Sequence, residues 1–173
     1  MIKFLFSNES TKKRIFKELK DVVRFQIDGF LIFGLIEDKL YGVLEGPTNS
    51  FYENGFFQFK MIYPNDYPFH PPIFYFQTKI FHPFINGNGF LNINILKDEW
   101  SPAYDLSIII KSIQFFLYEL NFDDCVNIIA AKLYKENKSE YEKTVRKYTS
   151  EYANFEIVQN ELKKLNFKME LSD

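Results

Sequence analysis

The stretch YPNDYPFHPPIFYFQTKIFHPFINGNGFLNINILKDEWSPA, residues 63–103, decides the fold. Its prolines exclude regular structure over residues 63–72 and favour a stiff, extended loop. The run IFYFQTK at 73–79 is rich in aromatic residues, which is typical of a strand. Residues 80–103 then alternate aromatic, asparagine and glycine residues. This segment is long for a connection, and long ordered loops more often carry function.

Strands and one helix are predicted upstream of this stretch. Three further strand-like runs are GFLIFGLIE, KLYGVLEG and FFQFKMIY. The short spacers between them predict antiparallel strands joined by hairpins. Residues 10–25 have apolar residues at helical spacing, at Ile15, Leu19, Val22 and Val23. Ser7 or Asn8 is the candidate N-cap of this helix.

Helices are predicted downstream of the long loop. The run DLSIIIKSIQFFLYEL is apolar around most of its circumference, which predicts a buried central helix with Asp105 as its cap. Residues 124–135 predict a shorter helix, and the chain is helical again from Asn137 to Leu165. One helix, four strands, a long loop and then helices indicate an α+β domain with helices packed on an antiparallel sheet.

Composition limits the function classes. The chain has 173 residues, a net charge of −2 and no general basic field for nucleic acid or anionic lipid. One cysteine permits no internal disulfide, which fits a reducing cytosolic or nuclear compartment. The N-terminal MIKFLFSNES does not resemble a secretory signal, and the longest apolar run is far below the ~20 residues of a membrane span. With two histidines and one cysteine, no metal site or cofactor is expected.

Several motifs together resemble the ubiquitin-conjugating enzymes. They are KRIFKEL at 13–19, YGVLEGP at 41–47, FYENGFFQF at 51–59, YPNDYPFHPP at 63–72, TKIFHP at 78–83, NGNG at 86–89, ILKDEWSPA at 95–103, NFDD at 121–124 and KLYKENKSEYEKTVRKYTSEYA at 132–153. The likeness covers residues 10–153 and implies that family's fold. It implies a family domain over residues 1–153 and a C-terminal helical extension over 154–173.

The same resemblance exposes a missing nucleophile. In the family, an HPN tripeptide precedes the active-site cysteine, which lies ten residues after the histidine and eight before the tryptophan of WSPA. Counting from His82 and from Trp100, both spacings end on Asn92. Phe84 stands where the family has the asparagine that supports the oxyanion. His82 and Asp124 are then remnants of the family site.

Transfer of ubiquitin through a thioester needs a thiolate, which the Asn92 amide cannot supply. Losing one oxyanion donor typically costs about 10²–10³ in rate, and Phe84 has no polar atom to donate. The sequence therefore predicts a pseudoenzyme that forms no thioester. The alternative is an active enzyme with a relocated thiol at Cys125. The neighbouring Asp123 and Asp124 would raise that thiol's pKa, so we expect Cys125 to behave as a small apolar residue.

The resemblance also implies partner surfaces. Ligases of the RING and HECT types would dock on Phe69 and on Ser101, Pro102 and Ala103, although Phe69 could instead pack on its neighbours. Lys12, Lys13 and Arg14 would contact the activating enzyme or form a solvated helix face. His82 is expected to be structural and not a base. The expected partners are ubiquitin or a ubiquitin-like modifier, an active conjugating enzyme, or a ligase, which the chain would serve as a scaffold or occupy as a decoy.

The tail beyond the likeness predicts one more helical stripe. Its apolar positions recur at steps of three or four, at Phe155, Val158, Leu162, Leu165 and Met169. No glycine or proline interrupts the run from Asn137 to the end, so we expect the last family helix to continue into the tail without a break. Such a stripe must be buried, either on its own domain or against a partner helix or second copy.

Overall fold

The computed structural model describes residues 8–118 and 125–164 of the chain. The helices are α1 Glu9–Phe25, α2 Leu106–Tyr118, α3 Ile128–Glu136, α4 Lys138–Tyr152 and α5 Phe155–Lys164, and the strands are β1 Phe30–Ile36, β2 Lys39–Glu45, β3 Phe56–Ile62 and β4 Ile73–Phe76. A 3-10 turn occupies Asn94–Leu96. The strands form one antiparallel sheet in the order β1-β2-β3-β4. The predicted α+β fold with a four-stranded antiparallel sheet is confirmed.

The sheet places alternate residues on opposite faces. Leu40 and Leu44 of β2 lie across from Met61 and Phe57 of β3, and all four are buried in the main core. The buried side chains of α2 belong to the same core. The predicted burial holds for the inner side of α2, whereas Ile108, Phe115 and Tyr118 of the same helix are exposed.

Helices α1 and α2 begin at side-chain N-caps that the sequence predicts. The Asn8 side chain accepts a hydrogen bond from the Ser10 N–H at 2.9 Å, so Asn8 is the cap of α1. Asp105 accepts from the Ile108 N–H at 3.0 Å and caps α2 as predicted. Ser7, the other candidate cap, lies outside the described residues.

The proline-rich loop is irregular, as predicted, and it is fixed by buried hydrogen bonds. The Thr11 hydroxyl of α1 contacts the carbonyls of Asn65 and Tyr67, each at 2.9 Å. The Tyr67 hydroxyl donates to the buried Glu18 carboxylate, whose Oε2 lies 2.8 Å away. The loop is thereby attached to α1 and holds its outward side chains in place.

The expectation of one unbroken C-terminal helix is wrong. Helix α4 ends at Tyr152, and α5 begins at Phe155. The Ala153 carbonyl accepts a hydrogen bond from the Phe56 N–H at 2.7 Å, and Ala153 is fully buried. The Asn154 side chain then accepts from the Ile157 N–H at 2.9 Å and caps a new helix. The break is thus a tertiary contact followed by a local cap.

One further detail differs from the sequence prediction. The short helix α3 begins at Ile128, where the prediction has residue 124, because Asn127 caps it through the Ala130 N–H. Residues Leu165 and Met169 of the predicted stripe lie outside the described residues. No helix in the described ranges is long and apolar enough to cross a membrane.

Candidate functional site

His82 is a buried structural residue in this fold. Its side chain is fully buried, and its Nδ1 accepts a hydrogen bond from the Phe84 N–H at 3.1 Å. Its Nε2 therefore carries the proton and donates to the Phe116 carbonyl of α2 at 2.9 Å. Burial lowers the pKa of His82 to about 4, against the opposing effect of the Phe116 carbonyl. A neutral imidazole with both nitrogens engaged positions the loop and is not available as a base.

Phe84 fills the place next to His82 with apolar surface. Its side chain is buried and packs edge-to-face on Phe116, with ring centroids 5.5 Å apart. The His82 ring lies 5.8 Å from it, centroid to centroid. An aromatic side chain in these contacts offers no hydrogen-bond donor to a developing oxyanion.

Asn92 and Phe84 are neighbours in the structure. The Asn92 N–H donates to the Phe84 carbonyl at 2.8 Å, and Ile85 forms an antiparallel bridge with Leu91. Leu91 and Ile93 on either side of Asn92 are buried in the core. The Asn92 side chain is half-buried. The structure therefore brings together the two positions that the sequence spacing singles out.

A tight turn returns the chain from Phe84 to Asn92. The Asn86 side chain accepts from the N–H groups of Asn88 and Phe90, at 2.9 and 3.1 Å. Gly89 has a φ of +81°, and a Cβ there would lie 1.9 Å from the Phe76 carbonyl oxygen. Glycine is thus required at this position, and the NGNG motif fixes the place of Asn92.

Cys125 lies beside the same loop. The N–H groups of Val126 and Asn127 both donate to the Pro83 carbonyl, at 3.0 and 2.9 Å. The Cys125 side chain is half-buried and packs against the main core. This packing suits a small apolar residue. Asp123 and Asp124 lie outside the described residues, so their expected effect on the thiol stays a prediction.

The two loops of the expected ligase surface are joined by a hydrogen bond. The Trp100 indole N–H donates to the Pro68 carbonyl at 2.9 Å. Phe69, the next residue, is 73% exposed, so the alternative in which it packs on its neighbours is wrong. Pro102 and Ala103 are exposed, and Ser101 is half-buried. The exposed ring of Phe69 therefore lies beside the turn at residues 101–103, and hydrogen bonds hold the backbone of its loop in place.

The basic run on α1 divides into different roles. Lys12 is half-buried and lies 3.7 Å from the Glu9 carboxylate, and Lys13 is exposed. The Arg14 guanidinium pairs with the buried Glu18 carboxylate and donates to the Tyr104 carbonyl at 2.9 Å. Arg14 therefore joins α1 to the segment that precedes α2. The buried role of Glu18 was not predicted from the sequence. Its only signal there is its position next to the apolar stripe of α1.

Glu18 is the centre of a buried polar network. Besides Arg14 and Tyr67, its carboxylate accepts the Leu106 N–H at the start of α2, at 3.1 Å. Burial raises the pKa of this carboxyl, partly offset by the hydrogen bonds from Arg14 and Tyr67. Among the residues described, no group of three histidine, cysteine or acidic side chains could hold a metal ion. The network is thus a structural junction of α1, α2 and the proline loop.

Comparison with known protein families agrees with the fold. The model of the ubiquitin-conjugating enzyme family matches residues 14–149, well over half of the chain. The chain belongs to the ubiquitin-conjugating enzyme family, whose members transfer ubiquitin and bind ubiquitin, ligases and other proteins. Membership supports a place in the ubiquitin pathway. The one cysteine stands at position 125 and not at the family's usual active-site position.

Proposed function

We propose that this chain is a ubiquitin-conjugating-like pseudoenzyme that acts as a binding, adaptor or regulatory subunit in the ubiquitin or a ubiquitin-like pathway. The observation that carries the proposal is the pair formed by Asn92 and Phe84, whose backbones are hydrogen-bonded at 2.8 Å. Asn92 occupies the position of the family's nucleophile, and Phe84 occupies the position of its oxyanion donor. Two independent parts of one mechanism are missing from one spot.

The chemistry of the two side chains supports this proposal separately. A carboxamide is no nucleophile at neutral pH, so Asn92 cannot accept ubiquitin as a thioester. Lysine attack on a thioester also needs a donor to the developing oxyanion. Phe84 is buried against Phe116 and His82, so an apolar ring occupies this position in place of a hydrogen-bond donor.

Restoring the two positions one at a time tests whether both are defects. Asn92→Cys is compared with the double variant Asn92→Cys, Phe84→Asn in single-turnover discharge of the ubiquitin thioester onto free lysine. Normalised to the charged fraction, the double variant should discharge about 10²-fold faster, because it regains an oxyanion donor.

The double variant Asn92→Cys, Phe84→Leu is the matched control, since it changes the packing without adding a donor. It should discharge as slowly as Asn92→Cys alone, and circular dichroism checks that all three variants are folded. Equal rates for the Asn and Leu variants would show that Phe84 is not a second defect.

The partner proposal concerns the exposed ring of Phe69 and the turn from Ser101 to Ala103. An aromatic side chain on a stiff loop is a suitable anchor for a partner pocket, because little conformational freedom is lost on binding. We therefore infer a RING- or HECT-type ligase as a partner at this surface. Ubiquitin, a ubiquitin-like modifier or an active conjugating enzyme would be further partners, with the chain as scaffold or decoy.

Three further proposals complete the assignment. Contact with the activating enzyme would use Lys12 and Lys13, while Arg14 is engaged with Glu18 and contributes mainly to the fold. The single cysteine and the family membership favour a cytosolic or nuclear location. The domain would end near Ala153, with residues 154–173 as its extension.

The second candidate function is a conjugating enzyme that uses Cys125. The observation in its favour is the hydrogen bonds from Val126 and Asn127 to Pro83, which hold the segment after Cys125 beside the remnant site. The packing of Cys125 against the core counts against it, because burial in apolar surroundings disfavours a thiolate. If this candidate is correct, the unsubstituted chain forms a thioester with ubiquitin and the Cys125→Ala variant forms none.

A further inference from the structure

A cavity opens between the segment that follows β4, the turn at residues 85–89 and the start of α3. Its volume is about 580 Å³, which is in the range of clefts that bind ligands. We call it the Lys79 cavity, and the lining residues that decide its chemistry are Lys79, Phe81, Asn86, Asn127, Ile129 and Tyr148. None of these side chains except Lys79 carries a charge, so the cavity combines apolar surface, neutral amides and one cation.

The apolar surface of the Lys79 cavity is built by two rings and an isoleucine. The rings of Phe81 and of Tyr148 on α4 lie with their centroids 5.6 Å apart. Ile129 in the first turn of α3 also lines the cavity, although 74% of it is exposed. Burying an exposed apolar side chain against a ligand is favourable, and apolar surface at a cavity is typical of an interaction site. This part of the cavity therefore suits an apolar side chain.

Two asparagines leave hydrogen-bond donors at the cavity. The Asn86 side-chain oxygen accepts from the N–H groups of Asn88 and Phe90, at 2.9 and 3.1 Å. The Asn127 side-chain oxygen accepts from the Ala130 N–H at 3.2 Å. Both oxygens are thus used by the fold, and neither amide NH₂ group is bonded to an acceptor within the described part of the chain. The cavity therefore favours a ligand that carries acceptors.

Lys79 is the only charged residue among the described residues that line the cavity. Its ammonium group lies over the Tyr152 ring, 4.9 Å from the ring centroid. No carboxylate in the described ranges forms an ion pair with it. A cation without a counter-charge beside an apolar wall is complementary to a carboxylate that a partner brings.

From these groups we propose that the Lys79 cavity binds an acidic segment of a partner protein. An Asp or Glu carboxylate of that segment pairs with Lys79, and a neighbouring apolar side chain packs on Tyr148 and Ile129. Backbone carbonyls of the segment accept from the Asn86 and Asn127 amides. A protein segment is the ligand that carries a carboxylate, an apolar side chain and carbonyl acceptors in one chain. The proposal is independent of whether the protein forms a thioester.

The test uses the full isotope-labelled chain and two small peptides. The probes are acetyl-Leu-Glu-amide and acetyl-Leu-Gln-amide, which have nearly the same shape and differ in charge. Each is added up to about 10 mM, because ligands of this size bind weakly, and backbone amide NMR shifts are recorded. We expect the Glu peptide to shift the amides of Phe81, Asn86 and Ile129 in a saturable manner and to bind about fivefold more tightly than the Gln peptide.

Matched pairs of variants test the two halves of the site. Lys79→Met removes the cation of the cavity, and Lys60→Met removes a lysine that lies 5.3 Å from the Tyr75 ring centroid, outside the cavity. Ile129→Ser and Ile128→Ser each remove an exposed isoleucine, of which only Ile129 lines the cavity. We expect Lys79→Met to bind both peptides equally, Lys79→Arg to keep the preference for Glu, and Ile129→Ser to bind both at least about fivefold more weakly. Lys60→Met and Ile128→Ser should behave as the unsubstituted chain.

Four results would overturn the proposal, with circular dichroism as the check that each variant is folded. The first is the absence of saturable shifts around the cavity, and the second is equal binding of the two peptides by the unsubstituted chain. The third is a loss of the Glu preference in Lys60→Met as large as in Lys79→Met, which would show that the cavity lysine does not recognise the carboxylate. The fourth is a shift of the same amides with protein concentration alone, which would show that a second copy of the chain covers the cavity.

Discussion

At the scale of single residues, stability depends on a few buried polar groups whose partners come from distant parts of the chain. Glu18 contacts α1, α2 and the proline loop at once, through Arg14, Leu106 and Tyr67. Removing one member of such a network leaves other buried groups without partners, which costs more than the bond itself contributes. Glu18 is therefore the residue whose loss should affect the loops beside the functional surfaces most strongly.

Glu18→Ala should lower the free energy of unfolding by about 2–4 kcal/mol, because the Tyr67 hydroxyl and the Leu106 N–H lose their acceptor. Urea denaturation followed by circular dichroism measures the change. Glu99→Ala, which removes an exposed carboxylate, is the control and should change stability by less than about 0.5 kcal/mol. A similar small change for Glu18→Ala would contradict the role given to the network.

The stability lost in Glu18→Ala should also depend on pH. Burial raises the folded-state pKa of Glu18, so the folded protein binds this proton more tightly than the unfolded chain. The contribution of Glu18 is then fully present below the unfolded carboxyl pKa and falls as pH rises through the raised folded pKa. The difference in unfolding free energy between the two proteins should shrink with rising pH, and a difference that grows would contradict the direction of the shift.

Tyr63→Phe should raise the free energy of unfolding by about 1 kcal/mol. The buried Tyr63 hydroxyl has no hydrogen-bond partner within the part of the chain that the structure describes. Removing it leaves the ring contact with Tyr67 intact, at 4.9 Å between centroids.

Tyr52→Phe is the matched control in the same denaturation experiment. The Tyr52 hydroxyl is bonded to the Phe81 carbonyl and the Tyr141 hydroxyl, each at 2.8 Å. This variant should lose about 1–2 kcal/mol of stability. If both tyrosine variants were destabilised equally, the Tyr63 hydroxyl would have a partner after all.

At the scale of structural elements, two loops expose side chains to a partner, and contacts with the rest of the fold hold these loops in place. Trp100 joins the proline-rich loop to the turn at residues 101–103, and Thr11 joins the same loop to α1. A loop attached at several points keeps an exposed ring in one place at little entropic cost on binding. The ligase surface is therefore a property of two loops acting together.

Phe69→Ala should weaken binding of a RING- or HECT-type ligase by at least ~2 kcal/mol, which is about 30-fold in Kd. Since the ring is 73% exposed, the substitution should leave the melting temperature unchanged. Calorimetry measures the affinity, and Ile128→Ala removes an equally exposed apolar side chain from α3 as the control. Unchanged affinity for a folded Phe69→Ala protein would exclude this surface.

At the scale of the whole molecule, local patterns predict the elements well and tertiary contacts poorly. The four strands, α1 and α2 follow from composition, spacing and caps. The spacing from His82 and Trp100 singles out Asn92, which lies beside Phe84 in the structure, and its assignment as the nucleophile position stays a prediction. The break before α5 could not be predicted, because it depends on the Phe56 N–H bonding to Ala153 from a distant strand. The network at Glu18 was missed for the same reason, since its partners are far apart in sequence.

The central claim is that the intact chain forms no ubiquitin thioester, and one measurement tests it directly. The protein is incubated with activating enzyme, ATP and ubiquitin, and its intact mass is determined without reductant, with Asn92→Cys as the positive control. We expect the mass of the unsubstituted chain to stay unchanged while Asn92→Cys gains one ubiquitin that reductant removes. A reductant-sensitive gain of one ubiquitin by the unsubstituted chain would contradict the claim, and its loss in Cys125→Ala would assign the activity to Cys125.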